Sequence, residues 1–411
     1  MKVKIIATIG PSTSSQDSIK RLAQIGVEVF RVNFSHGGLE ENIKKIKMVK
    51  KLGCLAMADL PGPKLRVEGF NRIINSGETI SNSKFSLPSL KKGEKVFLSD
   101  GLIELEALSD EDLIVLKGGE VREGMGVNIP SIKNFQSPTP KDMEIIKKIK
   151  NLSDFIAISY AQSAESIKKA RKNYNGNIIA KIETSRGVDN LDEIIKEADA
   201  VMVARGDLGV QLPFEQTPLI QKRIISACEE SSKPVIVATQ MLESMVTGSF
   251  PTRAEVTDVA NAVLDGADAL MLSEETAIGA NPENAVKTMK KIILSTQSSV
   301  EERHFKTSTV SEAISESAKN ISKTIKAKAI LTKTRTGKTS LSISRFKSQI
   351  PIIALTTSEA TFSKLKLAWN TISLKVKNSD EIPMHLFKKG DAVVLTYGGR
   401  FTTDSIKVVQ I

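Results

Sequence analysis

The segment Ile178–Val210, with the sequence IIAKIETSRGVDNLDEIIKEADAVMVARGDLGV, decides the fold because it holds one complete unit of strand, helix and strand. Residues 178–182 form an apolar run of strand length, and residues 200–204 form the next such run after a helical pattern. Strands joined in this way lie parallel and are usually neighbours in a sheet. The segment therefore predicts a parallel α/β fold.

Charged residues follow each of these two strands. Lys181 and Glu183 share one side of the first strand, because side chains alternate along a strand. If the strands are neighbours, about 4.8 Å apart, Glu183 converges with Asp207 beyond the second strand. Two close carboxylates favour a hard divalent cation such as Mg²⁺ or Mn²⁺. A structural ion pair between Lys181 and a carboxylate is the alternative interpretation.

Apolar runs alternate with helical patterns along most of the chain, and eight of them are expected to form the strands of a TIM barrel. A helical pattern follows each run except the third, after which residues 67–137 show short β-type runs and turn residues. We predict a catalytic TIM (β/α)8 barrel in residues 1–66 and 138–300, with an inserted small β domain, a possible lid, in residues 67–137. The eight runs are 3–9, 27–34, 55–60, 154–159, 178–182, 200–204, 235–239 and 269–272.

The pattern changes again after residue 300. An apolar stripe at helical spacing is followed by strand-like runs, and helical patterns separate the first of these runs. This pattern predicts a C-terminal α/β domain in residues 301–411. Effector binding and subunit contact are its possible roles. The stripe consists of Val310, Ile314, Ala318, Ile321 and Ile325, and the runs are 329–332, 352–355, 372–375, 392–397 and 405–411.

Polar residues follow the predicted barrel strands, at the end where barrel enzymes build their active sites. Any one of them could be a capping or turn residue. Together, their three arginines, two lysines and carboxylate pair suit a highly anionic, phosphorylated substrate. The residues are Arg31, Asn33, Ser35, His36, Asp59, Lys64, Arg66, Ser159, Lys181, Glu183, Arg205, Gly206, Asp207, Thr239, Gln240, Ser273 and Glu274.

Composition agrees with an enzyme of several domains, since 411 residues exceed what one core usually organises. Cys54 and Cys228 lie in or beside apolar runs, so neither a disulfide framework nor a zinc site is expected. The sequence shows no signal-peptide core and no run of membrane-spanning length, so we expect a cytoplasmic protein without membrane contact. A net charge of +11, with scattered lysines and 4% aromatic residues, argues against nucleic-acid binding and fits attraction of phosphorylated metabolites.

Long motifs, in the same order along the chain, make residues 3–411 resemble the pyruvate kinase family. The resemblance implies transfer of the phosphoryl group of phosphoenolpyruvate to ADP, giving pyruvate and ATP in the last step of glycolysis, and a homotetramer. The motifs are KIIATIGPST at Lys4, FRVNFSHG at Phe30, DLPGPKLR at Asp59, DFIAIS at Asp154, IIAKIET at Ile178, MVARGDLGV at Met202, ATQMLESM at Ala238, PTRAEVTDVANAVLDGADALMLSEETAIG at Pro251 and TTDSIKVVQI at Thr402.

The resemblance also implies roles for residues of the predicted mouth. Lys181 is similar to the catalytic lysine whose charge follows the transferring phosphoryl group, and Arg31 to the arginine that grips the substrate phosphate. Arg66 is similar to an arginine near the nucleotide phosphates. The resemblance further implies that Glu183 and Asp207 bind a divalent cation, and that the substrate is bound by Ala204, Arg205, Gly206, Asp207 and Thr239. It places Thr239 near the point where the enolate is protonated. It implies nucleotide binding by Asn33 and His36, with packing as the alternative role of His36.

Lys64 departs from the common pattern of the family, which has a glutamate at this position beside a bound K⁺. A fixed ammonium can supply the positive charge that K⁺ otherwise brings. We therefore expect an enzyme that does not require K⁺. In the family the K⁺ site is formed by residues that correspond to Asn33, Ser35, Asp59 and the carbonyl of Leu60.

Two further regions allow alternatives. Pro61 and Met125 stand where the family has lysines, which weakens the case for nucleotide contacts from the inserted domain, and that domain could be a moving lid or a static cap. LTKTRTGKTS, which starts at Leu331, follows a strand and opens a helix, as phosphate-binding loops do. It resembles the family's site for phosphorylated effectors, with a plain helix cap as the alternative. The loop residues are Thr332, which replaces the first glycine of a Walker A loop, Lys333, Thr334, Arg335, Thr336, Gly337, Lys338 and Thr339.

Two rival functions use the same features. A metal-dependent pyruvate-enolate lyase or aldolase on a TIM barrel would need neither the inserted domain nor the C-terminal loop. A non-catalytic RNA-binding or scaffold role predicts a continuous basic face and a site without Lys181. The sequence leaves open the effector, the nucleotide preference and the number of subunits.

Overall fold

A computed structural model gives the fold of the chain and describes residues 1–85, 87–98, 101–132, 134–377, 383–398 and 403–411. The strands form a closed parallel barrel, smaller antiparallel sheets inserted into it, and a C-terminal sheet. The predicted fold class, a TIM barrel with an inserted β domain and a C-terminal α/β domain, is confirmed.

The strands are numbered in chain order. The first barrel strands are β1 Lys4–Ile9, β2 Val27–Asn33 and β3 Leu55–Asp59. The inserted strands are β4 Leu65–Arg66, β5 Arg72–Ile74, β6 Thr79–Ser81, β7 Lys95–Leu98, β8 Ile103–Ala107, β9 Asp112–Lys117, β10 Gly119–Val121 and β11 Gly126–Asn128. The other barrel strands are β12 Phe155–Ile158, β13 Asn177–Ile182, β14 Ala200–Ala204, β15 Val235–Ala238 and β16 Ala269–Leu272. The C-terminal strands are β17 Ala329–Lys333, β18 Ile352–Thr356, β19 Thr371–Lys375, β20 Ala392–Gly398 and β21 Thr403–Gln410.

The α-helices follow the barrel strands and cover the C-terminal sheet. They are α1 Gln16–Ile25, α2 Leu39–Lys51, α3 Pro140–Ile149, α4 Ala164–Arg171, α5 Ser185–Asp189, α6 Leu191–Glu197, α7 Arg205–Gln211, α8 Thr217–Glu230, α9 Arg253–Asp265, α10 Glu274–Ala277, α11 Pro282–Thr296, α12 Val310–Thr324, α13 Lys338–Ser344 and α14 Glu359–Leu365. Capping signals in the sequence explain several ends. For example, Thr139 accepts a hydrogen bond from the amide of Asp142 at the start of α3.

The barrel closes in the order β1, β16, β15, β14, β13, β12, β3, β2, with β2 paired to β1. Alternation along each strand divides its side chains between two cores. In β1, Ile5 and Ala7 pack against the surrounding helices, whereas Ile6 packs inside the barrel. The apolar runs are buried on both sides, as parallel barrel strands require.

The inserted domain has a core of its own and starts beside the barrel mouth. Its larger sheet has the strand order β4, β11, β7, β8, β9, β6, and β4 pairs antiparallel with β11 so that Arg66 lies opposite Gly126. The buried core includes Phe85, Val96 and Leu105. Because β4 follows the end of β3 after a few residues, Lys64 and Arg66 lie between the barrel and this sheet.

The C-terminal domain packs under the barrel, at the amino ends of its strands. Its sheet order is β19, β18, β17, β20, β21. Leu367, just after α14, joins the core inside the barrel, and Lys347 lies 2.8 Å from Asp268 before β16. The C-terminal domain therefore closes the end of the barrel opposite the predicted mouth. Among the described residues, no helix has both the length and the apolar character needed to cross a membrane.

Candidate active site

Two neighbouring strands place the central carboxylates at the mouth of the barrel. Strand β13 pairs in parallel with β14, with Ile182 opposite Val203. Glu183 directly follows β13, and Asp207 lies in the first turn of α7, which begins where β14 ends. The fold thus brings both carboxylates to the same end of adjacent strands, and their charges act on each other.

A buried lysine connects strands on the same face. Lys181 Nζ lies 3.0 Å from Glu183 Oε1 and 3.1 Å from Asp59 Oδ1, and it donates to Ser159 Oγ at 2.8 Å. Arg31 Nε donates to the other oxygen of Asp59 at 2.7 Å. The side chains of Asp59 and Glu183 are each 1% exposed. Two cations and two carboxylates are therefore held together almost without water, where charge interactions are strong.

The charge states of this cluster follow from its contacts. Burial disfavours the charged form of Lys181, but Asp59 and Glu183 outweigh burial and raise the pKa of the lysine. Burial also opposes the charge of Asp59, yet Lys181 and Arg31 lower its pKa. For Glu183, burial and the charge of Asp207 raise the pKa to about 7, against the effect of Lys181. Glu183 is therefore readily protonated near neutral pH, and an additional positive charge nearby would favour its ionised form.

Asp207 is held by groups from three parts of the chain. Lys64 Nζ lies 2.6 Å from Asp207 Oδ1, and both side chains are largely buried. Asn128 Nδ2 donates to the same oxygen at 3.3 Å, and the Tyr160 hydroxyl lies 3.4 Å from it. Burial opposes ionisation of Asp207, but the Lys64 ammonium outweighs it and lowers the pKa of the carboxyl. The carboxylate is charged and oriented.

A left-handed turn follows β15 beside the two carboxylates. Thr239 and Gln240 have φ angles of 69° and 53°, a conformation that costs free energy unless its surroundings hold it. The amide of Gly206 donates to Thr239 Oγ1 at 2.9 Å. Arg205 donates to the carbonyl oxygens of both turn residues, and its Nη1 lies 2.7 Å from Asp258 Oδ1. The Arg205 guanidinium therefore braces this turn.

The side of the mouth toward the inserted domain is basic. Arg66 Nη1 donates to the carbonyl of Gly124 at 2.7 Å. Burial lowers the pKa of His36, and the positive charges of Arg66, Arg31 and Lys64 lower it further. His36 is therefore neutral at neutral pH and lies within electrostatic reach of these three cations.

The residues that the resemblance relates to K⁺ already have protein partners. Asn33 Oδ1 accepts from the amide of Ser35 at 3.0 Å, and the carbonyl of Leu60 accepts from Ser159 Oγ at 2.8 Å. The oxygens of Asp59 pair with arginine and lysine, as described above. Three of these oxygen groups thus already accept hydrogen bonds or ion pairs from the protein.

The pair Glu183 and Asp207 fits a divalent cation by its chemistry. Both provide hard oxygen ligands, and the raised pKa of Glu183 shows that additional positive charge would be stabilising there. In the described part of the chain, no three His, Cys, Asp or Glu side chains are grouped as a metal site. Two carboxylates are a common protein contribution to bound Mg²⁺, which keeps water and substrate oxygens as its other ligands.

Sequence reasoning missed several residues of the site. Tyr160 follows Ser159 at the end of β12, so the rule that strand ends carry the chemistry could have found it. Thr8, whose hydroxyl accepts from Arg31 at 3.1 Å, lies in β1 without a distinguishing signal. Asn128 and Asp258 come from β11 and α9, and only the tertiary fold brings them to the mouth. At β16, the buried carboxylate that accepts from backbone amides belongs to Glu275, whereas Glu274 is exposed.

The predicted phosphate loop, residues 332–339, connects β17 to α13. The chain turns at Gly337, which has a φ angle of 83°. The amide of Gly337 donates to Thr334 Oγ1 at 2.9 Å. Thr361 in α14 donates to the carbonyl of Arg335 at 2.6 Å. The side chains of Arg335 and Lys338 are exposed. The loop is therefore held by internal hydrogen bonds, with the side chains of Arg335 and Lys338 toward solvent.

Comparison with known proteins gives matches over nearly the whole chain. Residues 1–87 and 78–286 match the family model "Pyruvate kinase, barrel domain", and residues 312–409 match "Pyruvate kinase, alpha/beta domain". A pyruvate kinase of Thermotoga maritima is 39% identical, over 99% of this chain and 99% of the relative. One of Geobacillus stearothermophilus is 38% identical, over 97% of this chain and 77% of the relative. One of Thermococcus litoralis is 38% identical, over 100% of this chain and 98% of the relative.

Proposed function

The chain belongs to the pyruvate kinase family of phosphotransferases, and from this premise we propose that it transfers the phosphoryl group of phosphoenolpyruvate to ADP, forming pyruvate and ATP. The observation that carries the proposal is the buried cluster of Lys181, Arg31, Asp59 and Glu183 at the mouth of the barrel. Such a cluster offers oriented positive charge to an anionic substrate in a site with little water, which is how phosphoryl transfer is accelerated.

Lys181 and Arg31 act on the phosphoryl group. Asp59 contacts both side chains and fixes their positions relative to each other. The ammonium is a point charge that can follow the phosphoryl group during transfer, while the planar guanidinium can hold two of its oxygens at once. Fixed donors of this kind need no rearrangement when charge moves in the transition state.

Glu183 and Asp207 hold the divalent cation, Mg²⁺ or Mn²⁺, that the reaction requires. A bound cation at this position supplies positive charge to the enolate oxygen that develops as the phosphoryl group leaves. The protein contributes the two oriented carboxylates: the amide of Tyr160 donates to Glu183 Oε2 at 2.6 Å, and Lys64 and Asn128 contact Asp207.

The turn after β15 positions the three-carbon part of the substrate. The backbone of Ala204, Arg205 and Gly206 and the hydroxyl of Thr239 line the position proposed for the substrate carboxylate. A threonine hydroxyl is a weak acid, so we propose that Thr239 orients a water or proton relay to the enolate rather than giving up its own proton. Its contact with the Gly206 amide keeps the hydroxyl at this place.

The nucleotide approaches from the basic side of the mouth. We assign its phosphates to Arg66, with Asn33 and His36 as neighbouring contacts. Arg66 is bound to the carbonyl of Gly124 in the inserted domain, so motion of that domain would move the arginine as well. The inserted domain is accordingly proposed to act as a lid that excludes water.

We propose that this protein is active without K⁺, because the Lys64 ammonium supplies positive charge at the mouth. The ammonium pairs with Asp207 and also acts on His36, next to Ser35 in the sequence. It thereby supplies a positive charge at the mouth, within electrostatic reach of His36. Assays in buffer with tetramethylammonium as the monovalent cation should show nearly the same activity as assays with added K⁺. A many-fold increase on adding K⁺ would contradict the proposal.

A regulatory role is proposed for the loop of residues 332–339, with phosphate bound by its exposed basic side chains. Sugar phosphates or AMP should raise the melting temperature of the wild type but not of an Arg335→Ala variant. Equal shifts in both proteins, or none in either, would leave the loop as a plain helix cap. A cytoplasmic homotetramer that serves the last step of glycolysis completes the proposal, and sedimentation analysis tests the subunit number.

The direct test of the activity measures pyruvate formed from phosphoenolpyruvate, ADP and Mg²⁺. The wild type should form pyruvate and ATP in equal amounts. A Lys181→Met variant should lose at least about a thousandfold in turnover, because it removes a charge aimed at the transition state. Lys50→Met is the matched control. Lys50 forms an ion pair with Asp154 at 2.7 Å, and this pair lies away from the mouth. Wild-type protein without activity, or full activity in Lys181→Met, would refute the proposed function.

A further inference from the structure

One oxygen of Asp207 joins three parts of the fold. Lys64 Nζ lies 2.6 Å from Oδ1, Asn128 Nδ2 lies 3.3 Å from it, and the Tyr160 hydroxyl lies 3.4 Å from it. Lys64 belongs to the segment between β3 and β4, Asn128 to β11 of the inserted domain, and Tyr160 to the barrel. The inserted domain therefore contacts Asp207, a proposed cation ligand of the barrel, through Asn128.

The Lys64 side chain packs closely against Gly126 of the inserted domain. A Cβ atom added to Gly126 would lie 2.5 Å from Lys64 Cε and 3.0 Å from its Nζ, both closer than van der Waals contact permits. Gly126 lies opposite Arg66 across the pairing of β11 with β4. The side chains of Lys64 and Asp207 are 17% and 18% exposed. The contact is thus a shielded ion pair whose position is determined by the sheet.

The Lys64 ammonium already neutralises the Asp207 carboxylate, to which a divalent cation would bind. Lys64 lowers the pKa of Asp207 and occupies the space beside Oδ1. A dication bound to the same carboxylate would repel the ammonium strongly at such a short separation. This repulsion opposes occupation of Oδ1 by both, so binding of one weakens binding of the other.

We propose that Lys64 is a built-in competitor of the divalent cation at Asp207, and that its displacement by the cation weakens the contact between the inserted domain and the barrel. The inference rests on the proposed function in taking Glu183 and Asp207 as the cation ligands. Asn128 and Tyr160 act as positioning residues that keep the carboxylate oriented when the ammonium leaves: the tyrosine hydroxyl is also 3.2 Å from Asn128 Oδ1, and its amide donates to Glu183.

Binding of Mn²⁺ to the full-length protein, without phosphoenolpyruvate or ADP, tests the competition. Free Mn²⁺ is measured by electron paramagnetic resonance for the wild type, Lys64→Gln and Lys45→Gln. Lys45→Gln is the matched control, because it also removes a positive charge that acts on His36 but pairs with Glu41 instead of Asp207. Lys64→Gln should bind Mn²⁺ at least about fivefold more tightly than the wild type, the lower range of coupling between linked sites. Unchanged or weaker binding would overturn the proposal.

Hydrogen exchange tests the link to the inserted domain. In the wild type, Mn²⁺ should speed exchange of the amides of β4 and β11. In Lys64→Gln, exchange there should be fast without Mn²⁺ and respond little to it. Equal responses of the two proteins would overturn the link. Neither measurement uses turnover, so a protein that binds Mn²⁺ as described but forms no pyruvate would refute the proposed function and leave the competition intact.

Discussion

Replacement of Lys347 by methionine tests how the C-terminal domain supports the barrel. The side chain of Lys347 is 1% exposed, with Nζ 2.8 Å from Asp268 Oδ1 and 5.5 Å from the ring centre of Trp369. Asp268 precedes β16 and is itself 4% exposed. The substitution keeps most of the side-chain volume and removes the charge, so it leaves a buried carboxylate without its cation.

The expected loss of stability follows from the remaining partners of Asp268. Its Oδ2 accepts from the amide of Val235 at 2.9 Å, and its Oδ1 accepts from the amide of Trp369 at 3.0 Å. Breaking a buried ion pair costs about 3–5 kcal/mol, and the two amides hold the expected value near the lower limit, about 3 kcal/mol. For a domain of this size, that corresponds to a decrease in melting temperature of roughly 6 °C or more.

Thermal unfolding of the variant and of Lys364→Met provides the measurement. Lys364 connects the same two domains by an ion pair with Asp199 at 3.5 Å, but Asp199 also pairs with Arg171 and accepts a hydrogen bond from the amide of Ile178. Because Asp199 keeps these partners, removal of Lys364 should cost about 1 kcal/mol or less, and Lys364→Met should melt within a few degrees of the wild type. Turnover of folded Lys347→Met at 25 °C should stay within about twofold, because Lys347 lies at the end of the barrel away from the mouth. Equal melting temperatures for the two variants would refute the reasoning.

Three further outcomes are expected. Burial raises the pKa of Glu229 to about 7 from the usual 4.5, so the folded protein keeps a proton that the unfolded chain has lost. Stability should therefore fall as the pH rises between about 4.5 and 7, and Glu229→Gln should flatten this part of the thermal-unfolding profile. Asp258→Asn removes the carboxylate partner of Arg205, so turnover should fall about tenfold with little change in melting temperature, as expected for a loss of about 1.4 kcal/mol at the reacting groups. Leu367→Ala should cost about 3 kcal/mol in chemical unfolding, because its side chain fills the core inside the barrel; a cost below 1 kcal/mol would contradict this.

The barrel could be predicted from the sequence because its strands are buried on both faces. Such strands appear as continuous apolar runs, and the observed β14 and β16 have the predicted bounds. Two strand ends differ from the predicted ones by one residue: β2 ends at Asn33 instead of Phe34, and β15 at Ala238 instead of Thr239. Propensity alone cannot fix these ends, because hydrogen bonds to neighbouring strands decide them. The packing of Leu367 into the barrel had no signal in the sequence, since an apolar residue after a helix could fill any core.

The candidate site was predictable only where its residues lie at strand ends. Lys181, Glu183 and Asp207 follow from alternation and from the parallel pairing of β13 with β14. Charge pairing between distant segments could not be read from the sequence. Lys64 corresponds by resemblance to a residue beside the K⁺ region, and in the structure it forms an ion pair with Asp207. The contact of Asn128 with the same carboxylate depends on how the inserted domain sits over the mouth.

A buried lysine beside a carboxylate does not by itself indicate catalysis, and Lys347 is the comparison within the same chain. At the closed end of the barrel, Lys347 lies 2.8 Å from Asp268 and 3.8 Å from Glu229, and burial raises the pKa of Glu229 to about 7. At the mouth, Lys181 is likewise shared between Asp59 and Glu183, and burial, together with the neighbouring charge of Asp207, raises the pKa of Glu183 to about 7. The two lysine clusters therefore resemble each other in charge and differ in position: the one at the closed end is covered by the C-terminal domain, whereas the one at the mouth lies at the strand ends where barrel enzymes bind their substrates. Position at the open end of the barrel, and not the ion pair itself, therefore favours the cation-dependent function over the structural alternative.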